Sequence, residues 1–458
     1  MTTSGGMQWS SRLTFIMASV GCAVGLGNIW MFPYIVGSNG GGAFVLVYLI
    51  AVASLALPML MAELMVGRRG AAGPPAAISA VARESGHSGN WRWMGILLGG
   101  VGAIMALAFY GVVGGWTLAY AYKMAAGQLQ NVDAATATLI FDQLNGEAGS
   151  LLPWVTAFFA TTVVISARGL QAGIEKAVKI MMPALFVMLV AMMIYAAVVG
   201  DFARAVSFLF QPDFSKLTSK TVLAAFGQAF FSVSVGITNM MAYGAYMDKK
   251  TKLPGSAAIV AGADTAVALL AGLAIFPIIF IYGLEPSGGP GLVYMALPFA
   301  FGQIPGGLVF GTVFFVLLFF AALTSSIGML EPPVSWLRDA TNLSRRSAAL
   351  LAGSVAFVLC TLAALSFNEL AGIYPLGTFA LFENKGFFDL FIYAVTQFLM
   401  PIGGVVIAVF VGWFVKKQFS RDELFNGEDT LQYKMWLIIV RFVAPVLLAL
   451  VLVDVATG

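Results

Sequence analysis

The sequence predicts an all-α integral membrane protein whose helices are interrupted at two related places, and three observations carry that expectation. Of its 458 residues, 60% are hydrophobic and only 10% charged, against ~25% charged in a typical soluble domain; mean hydropathy is +0.91. The apolar residues fall into about eleven segments long enough to span a bilayer, for which ~20 residues suffice. The first segment contains Gly21–Asn28, GCAVGLGN, with three glycines in seven residues, each roughly 0.8–1 kcal/mol less favourable in a helix than alanine. A break is expected there. Backbone groups freed by a break in hydrocarbon must find partners, so irregular backbone at that depth persists where it lines a site. A near-echo, SVGITN against AVGLGN, occurs at Ser234–Asn239. Two glycine-interrupted segments at corresponding positions of two halves point to the central site of a secondary transporter.

The segments run approximately 12–37, 42–67, 91–125, 151–167, 175–200, 219–247, 255–283, 305–337, 346–367, 385–415 and 433–456. The N-terminus is polar, lacks a basic cluster and leads into a segment too long for a signal peptide, so the first helix is expected to stay in the membrane. If the N-terminus is cytoplasmic, the inner loops hold Arg68, Arg69, Arg83, Lys249, Lys250, Lys252, Arg345, Arg346, Lys416 and Lys417, while the opposite loops hold far fewer bases. This bias predicts N-terminus inside, and an odd helix count then places the C-terminus outside. The loop 128–150 is acidic, and 283–307 alternates Gly and Pro with apolar residues, which suits a re-entrant or hairpin lid.

Composition also excludes. A net charge of +3 with scattered bases argues against nucleic acid as a partner and leaves the lipid bilayer. Cys22 and Cys360 both lie in apolar segments, so no disulfide framework is implied. The single histidine, His87, sits in a polar loop, which removes most histidine-based catalysis. An aspartyl-type intramembrane enzyme needs paired acids, and Asp264 has no evident partner.

Polar residues inside the spans have two readings each. Thr324 and Ser325 could bond back to carbonyls of their own helix or supply hydroxyl oxygens to a hard cation. Asp264 is either a cation ligand or a protonated or hydrogen-bonded structural acid. Glu63 suits a hydrogen-bonded support for the loosened sixth helix. Gly173 and Pro183 mark the fifth helix as able to open or merely to kink. Thr238 and Asn239 either cap the broken sixth helix or hydrogen-bond a ring N–H or hydroxyl of a ligand.

The stretches WSSRLTFIMASVGCAVGLGNIWMFPYIVGSNGGGAF, AFYGVVGGWTLAY, FGQAFFSVSVG and FFAALTSSIGMLEP resemble the sodium-coupled neurotransmitter symporters, and the resemblance covers essentially the whole chain. It implies one transmembrane domain, 1–458, with a LeuT-like fold: two inverted five-helix repeats, about 10–200 and about 217–417, with helices 1 and 6 broken, and an extra helix at about 433–456. It implies a multi-pass protein of the bacterial inner membrane that carries an amino acid, as a small-molecule substrate, together with Na+.

Two sodium sites follow from the same resemblance. One comprises the carbonyls of Gly21, Val24 and Ala321 and the hydroxyls of Thr324 and Ser325. The other comprises the Ala23 carbonyl, Asn28, Ser232 and Asp264, where relatives more often carry Asn in the last place. Chloride is not expected, because Ala268 occupies the position of a chloride-binding Ser and Asp264 already supplies negative charge.

For the substrate, N–H groups near Leu26 and Gly27 suit a carboxylate, and by resemblance Tyr110 donates to it. Gly25 stands where monoamine carriers place an Asp, so amino acids are favoured over monoamines. Carbonyls near Ala23 and Phe231, with Ser232 and Ser234 beside them, are expected around the amino group. Ala106, Phe231, Ile237, Ser325 and Met329 form an apolar side-chain pocket without charge, with Ala106 and Ile237 small enough for a large or aromatic side chain. The family's outer ion pair is missing, with Met31 and Ile392 in its places; at the inner gate Trp9, Tyr246 and Asp339 match but the usual Arg is absent from GGMQW, so that latch is expected to be weak or rearranged. The leading function is sodium-driven import of a hydrophobic amino acid. A carrier of a related non-zwitterionic aromatic compound, or a receptor on the same fold that no longer transports, is the alternative.

Overall fold

The computed structural model describes residues 7–284 and 291–457, and among them every regular element is helical. Among the described residues, eleven helical stretches, two of them broken, follow the apolar segments: α1 (Arg12–Ala23 and Gly27–Ser38), α2 (Gly42–Gly70), α3 (Gly89–Ala125), α4 (Ala148–Ala167), α5 (Leu170–Val199), α6 (Ser219–Ser232 and Asn239–Gly244), α7 (Leu253–Ile281), α8 (Gly307–Ala340), α9 (Arg345–Leu365), α10 (Phe387–Phe414) and α11 (Leu431–Val455). Nine described helices are long and apolar enough to cross a membrane unbroken, and α1, bent by 49° at its break, makes a tenth. The eleventh, α6, is parted by residues 233–238. The two broken spans therefore stand five apart in the chain, as the echoed motifs require.

Local chemistry sets the breaks. A capping box starts α1: Ser11 Oγ accepts from Thr14 N at 3.2 Å and Thr14 Oγ1 accepts from Ser11 N at 3.0 Å, satisfying two helix-end donors. The first half stops at Ala23, where Val24 turns extended with ψ of 106°. In α6 the chain leaves the helix through left-handed Ser234 and Gly236 and re-enters it at left-handed Thr238. The freed backbone is held by α2, where Glu63 Oε1 accepts from Gly236 N at 2.6 Å and Oε2 from Met241 N at 3.3 Å, the supporting role expected for that acid. The backbones are close at this crossing: a Cβ on Gly244 would lie 2.6 Å from Leu64 O, the approach that small residues permit between membrane helices.

At the centre, α8 packs along α3 and against α1 and the second half of α6. At the periphery, Ile180, Val187 and Val198 on α5, Leu350 and Val358 on α9 and Val446 on α11 are exposed. Such a surface fits hydrocarbon; in water it would be an aggregation liability. α5 runs as unbroken helix through Gly173 and Pro183, opening with a π-helical turn at Leu170–Glu175, so the opening expected of it is not seen in this conformation. The acidic connector after α3 contains a helix, Ala134–Gly146, capped by Asp133. The lid expected at 283–307 contains helical Leu292–Gln303; its residues 285–290 lie outside the described residues. Gln303 Nε2 donates to Val132 O at 2.6 Å and Asn131 N to Gly302 O at 3.1 Å, tying this segment to the α3 connector.

Candidate functional site

The two breaks are stitched to each other by side chains of α6. Gln228 Nε2 donates to Gly27 O at 2.8 Å, and Ser234 Oγ donates to Cys22 O at 3.0 Å. Between them, Asn28 Nδ2 donates to Ser232 Oγ at 2.9 Å and to Asp264 Oδ1 at 2.8 Å, while Ser232 Oγ donates to Asp264 Oδ2 at 2.5 Å. All three residues are buried. Asp264 is thus a hydrogen-bonded acid at the α1–α6–α7 junction. Asn28 turns its nitrogen toward the acid and its Oδ1 toward Gly25 N at 3.1 Å, so a cation here would need the amide turned about to present its oxygen. Ala23, the remaining member of the expected set, lines the same cavity as Ser232.

A second oxygen cluster forms where α8 meets the first half of α1. Ser325 Oγ lies 3.3 Å from Gly21 O and 3.2 Å from Val24 O, and Thr324 Oγ1 lies 3.2 Å from Ala321 O. Thr324 also bonds back to Phe320 O at 2.9 Å, the within-helix bond that is one of the two readings of its hydroxyl. Three carbonyls and two hydroxyls with no charged group among them form a donor set of the hard-oxygen kind that Na+ or Ca2+ takes, and the absence of carboxylates favours the monovalent ion. The cluster is tightly walled: a Cβ on Gly21 would meet Met182 Sδ at 3.0 Å and Thr324 Cβ at 3.2 Å.

Next to both clusters lies a cavity of about 10 Å³. Ala23 and Gly27 of α1, Ala106 and Tyr110 of α3, and Met329 of α8 contribute to its wall, as do Phe231, Ser232, Ser234 and Ile237 around the α6 break. Gly25, Leu26 and Ser325 do not reach it. A Cβ on Gly25 would lie 2.5 Å from Ser325 Oγ and 3.1 Å from Tyr110 OH, so these two hydroxyls occupy the space beside the glycine. Phe109, Val395 and Met400 also line the cavity, and nothing in the sequence marked them, since an apolar residue inside an apolar helix has no distinguishing signal. Phe231 and Met400 separate this cavity from a larger cleft of about 280 Å³ that Met31, Gln228 and Thr396 line. Ile392 is partly buried against the core and does not line that cleft.

The opposite end of the site is sealed by Trp9, whose Nε1 donates to Tyr243 O at 3.0 Å and whose backbone N donates to Tyr246 O at 3.1 Å. Its ring meets Phe15, Tyr243 and Tyr246 edge-on. Tyr246 OH donates to Glu331 Oε1 at 2.6 Å, and Arg345 grips the same carboxylate with Nη1 at 2.8 Å and Nη2 at 2.6 Å. Asp339 is not joined to this network; it accepts from Gly73 N at 2.5 Å. The charge behind Tyr246 therefore comes from the α8–α9 hairpin. A Glu inside the apolar run MLEPP followed by the first base after α8 was the signal available for it. The Gly5 and Gly6 of GGMQW lie outside the described residues.

Comparison with known proteins agrees with this geometry. The model of the sodium:neurotransmitter symporter family matches residues 7–138 and 136–457. An uncharacterized sodium-dependent transporter of Bacillus subtilis, YhdH, is 34% identical, over 98% of this chain and 97% of its own. The sodium-dependent neutral amino acid transporter B(0)AT2 of Bos taurus is 27% identical over 59% of this chain and 40% of its own. Among solved structures, the crystal structure of MhsT in complex with L-phenylalanine superposes with a TM-score of 0.89 at 38% identity, covering 98% of this chain and 100% of that one.

Proposed function

Because this chain belongs to the sodium:neurotransmitter symporter family, whose members are membrane transporters and not enzymes, we propose that it imports a large hydrophobic or aromatic amino acid coupled to Na+ across a bacterial inner membrane, N-terminus inside. The observation that carries this reading is the cavity at the junction of the two breaks: apolar along Ala106, Phe109, Met329, Val395 and Met400, polar where Tyr110, Ser232 and Ser234 and the backbone of the α1 break border it, and free of any charged side chain along its wall. An α-amino acid matches that division, its backbone groups toward the breaks and its side chain toward Ala106, Ile237 and Met329. Tyr110 and the backbone near Leu26 and Gly27 would receive the carboxylate. A volume of about 10 Å³ holds roughly one water, so this conformation is a closed one, and the amino acid enters when the walls part. The methionines there, Met329 and Met400, adapt readily to different ligand shapes.

Coupling rests on the two oxygen clusters. The set Gly21, Val24, Ala321, Thr324 and Ser325 draws on both α1 and α8, so an ion held there favours the arrangement in which those helices meet. The set Ala23, Asn28, Ser232 and Asp264 links α1, α6 and α7, with Asp264 supplying the negative charge. Each charge moving inward across 100 mV contributes about 2.3 kcal/mol to uphill uptake. The two repeats, about 10–200 and about 217–417, would rock against each other, with Phe231 and Met400 parting on one side and the Trp9 seal on the other.

Two expected results follow. Replacing chloride by gluconate at constant sodium should leave uptake unchanged, because Ala268 has no polar side-chain atom and Asp264 carries the charge; a several-fold fall in gluconate would show that the acid does not replace the anion. Ala106→Leu should weaken binding of tryptophan and phenylalanine at least ~10-fold while alanine changes little, since overpacking a filled apolar site costs ~1–3 kcal/mol. Equal weakening of alanine and tryptophan, measured by equilibrium binding to the purified protein, would remove Ala106 from the side-chain pocket.

A further inference from the structure

Three polar atoms at the end of the α6 break are buried without a partner: Thr238 Oγ1, Asn239 Nδ2 and Asn239 Oδ1. Both residues are completely buried. Buried polar atoms are hydrogen-bonded in the large majority of cases, so such a group needs a cause. Capping is not the cause, because Thr238 is the N-cap of the second half of α6 and its side chain makes no capping bond. Backbone convenience is not the cause either: Thr238 has φ of +59°, a conformation that glycine adopts freely and a β-branched residue rarely. The hydroxyl stands here against the local preference of the chain.

Its place relative to the cavity gives it a use. Ile237, one residue earlier, is part of the cavity wall. Successive turns of α3 run from Ala106 at the cavity through Gly102 to Gly99. A Cβ on Gly102 would make ordinary contact with Ile237 Cγ2 at 3.4 Å, whereas one on Gly99 would overlap Thr238 Oγ1. Ile237 thus faces a glycine with methyl-sized space between them, and the unpartnered hydroxyl lies one turn beyond. The ring of an aromatic amino acid is far larger than the present cavity, so its entry must displace part of this wall.

Building on the aromatic-amino-acid reading above, we propose that Thr238 and Asn239 form a polar floor that receives the hydrogen-bonding end of a long substrate side chain, an indole N–H or a phenol hydroxyl, when Ile237 moves aside. The floor makes the carrier select tryptophan- and tyrosine-like substrates over phenylalanine. Thr238→Val keeps the shape and removes the hydroxyl; Thr238→Ser keeps the hydroxyl.

The test is equilibrium binding of radiolabelled phenylalanine, tyrosine and tryptophan to the purified full-length protein in sodium. The wild type should bind tyrosine or tryptophan more tightly than phenylalanine. Thr238→Val should weaken the preferred polar-ended ligand by roughly 3- to 10-fold, the size of one net hydrogen bond, with phenylalanine unchanged, and Asn239→Leu should act in the same direction. Thr238→Ser should retain the discrimination, which a merely structural role for the side chain would not require. Equal weakening of all three ligands by Thr238→Val, or full discrimination persisting in both Thr238→Val and Asn239→Leu, would overturn the floor and leave the aromatic reading intact. Failure of the wild type to bind any of the three would overturn both.

Discussion

Thr324→Val combined with Ser325→Ala is expected to abolish sodium-dependent uptake in a protein that still folds. The double change removes both hydroxyls from the cluster in which Ser325 Oγ sits between Gly21 O and Val24 O and Thr324 Oγ1 sits beside Ala321 O, leaving three carbonyls. Hydrogen bonds or ligands to a charged group contribute ~1.5–3 kcal/mol each, so sodium affinity should fall at least ~100-fold. The folded state loses much less. Val fills the volume of Thr, the Thr324 bond to Phe320 O is an optional back-bond within one helix, and Ser325→Ala costs about 1 kcal/mol. Sodium-dependent uptake in proteoliposomes, measured alongside size-exclusion behaviour, checks this; a monodisperse double variant with undiminished sodium-dependent uptake would remove the site from coupling.

Arg345→Ala should have the other large effect, for the opposite reason: it strands a charge. Glu331 is completely buried, and Arg345 contributes two of the hydrogen bonds its carboxylate receives, with Tyr246 giving a third. Removing one partner of a buried ion pair costs ~3–5 kcal/mol. That penalty falls on the conformation in which Glu331 is dry and is relieved when water enters from the Trp9 side. The variant should therefore populate the state open at that end and lose uptake by more than ~10-fold. Cys22, buried beside the α1 break, reports the opening: in a Cys360→Ala background, maleimide labelling of Cys22 should be faster in Arg345→Ala than in its parent. The double variant Arg345→Gln/Glu331→Gln strands no charge and should recover slow labelling. Identical labelling rates in parent and Arg345→Ala would show that this ion pair does not hold the seal.

The spans were legible because about twenty consecutive apolar residues have one use in a chain of this composition, and glycine is costly in a helix; the α1 break therefore falls where GCAVGLGN places it. Glu63 was legible as well, since an acid inside an apolar helix must find donors and the loosened α6 backbone offers them. Other features lay outside the reach of pattern. Val395 and Met400 line the cavity through the way α10 packs, which an apolar residue among apolar residues does not announce. Glu331 and Arg345 are fourteen residues apart and meet only because the α8–α9 hairpin folds back. Asp339, matched to the gate by its position in the motif, is taken by the Gly73 amide. The direction of the Asn28 amide is set by two partners that agree, the Gly25 N–H donating to its Oδ1 and Asp264 accepting from its Nδ2, and the second of these is far away in the chain. α5 is helical through Gly173 and Pro183: a glycine and a proline mark a helix as weakened, and their spacing alone does not say whether it opens or only kinks.

The central claim is that uphill movement of an amino acid is driven by sodium through the site between the two breaks. Its most direct test is uptake of radiolabelled tryptophan, tyrosine and phenylalanine into proteoliposomes holding the purified protein, with an inward sodium gradient and then with sodium equal on both sides at the same membrane potential. At least one of these amino acids should accumulate above its external concentration under the gradient and merely equilibrate when the gradient is collapsed. Equal accumulation in both conditions, or no movement of any of them in either, would contradict it.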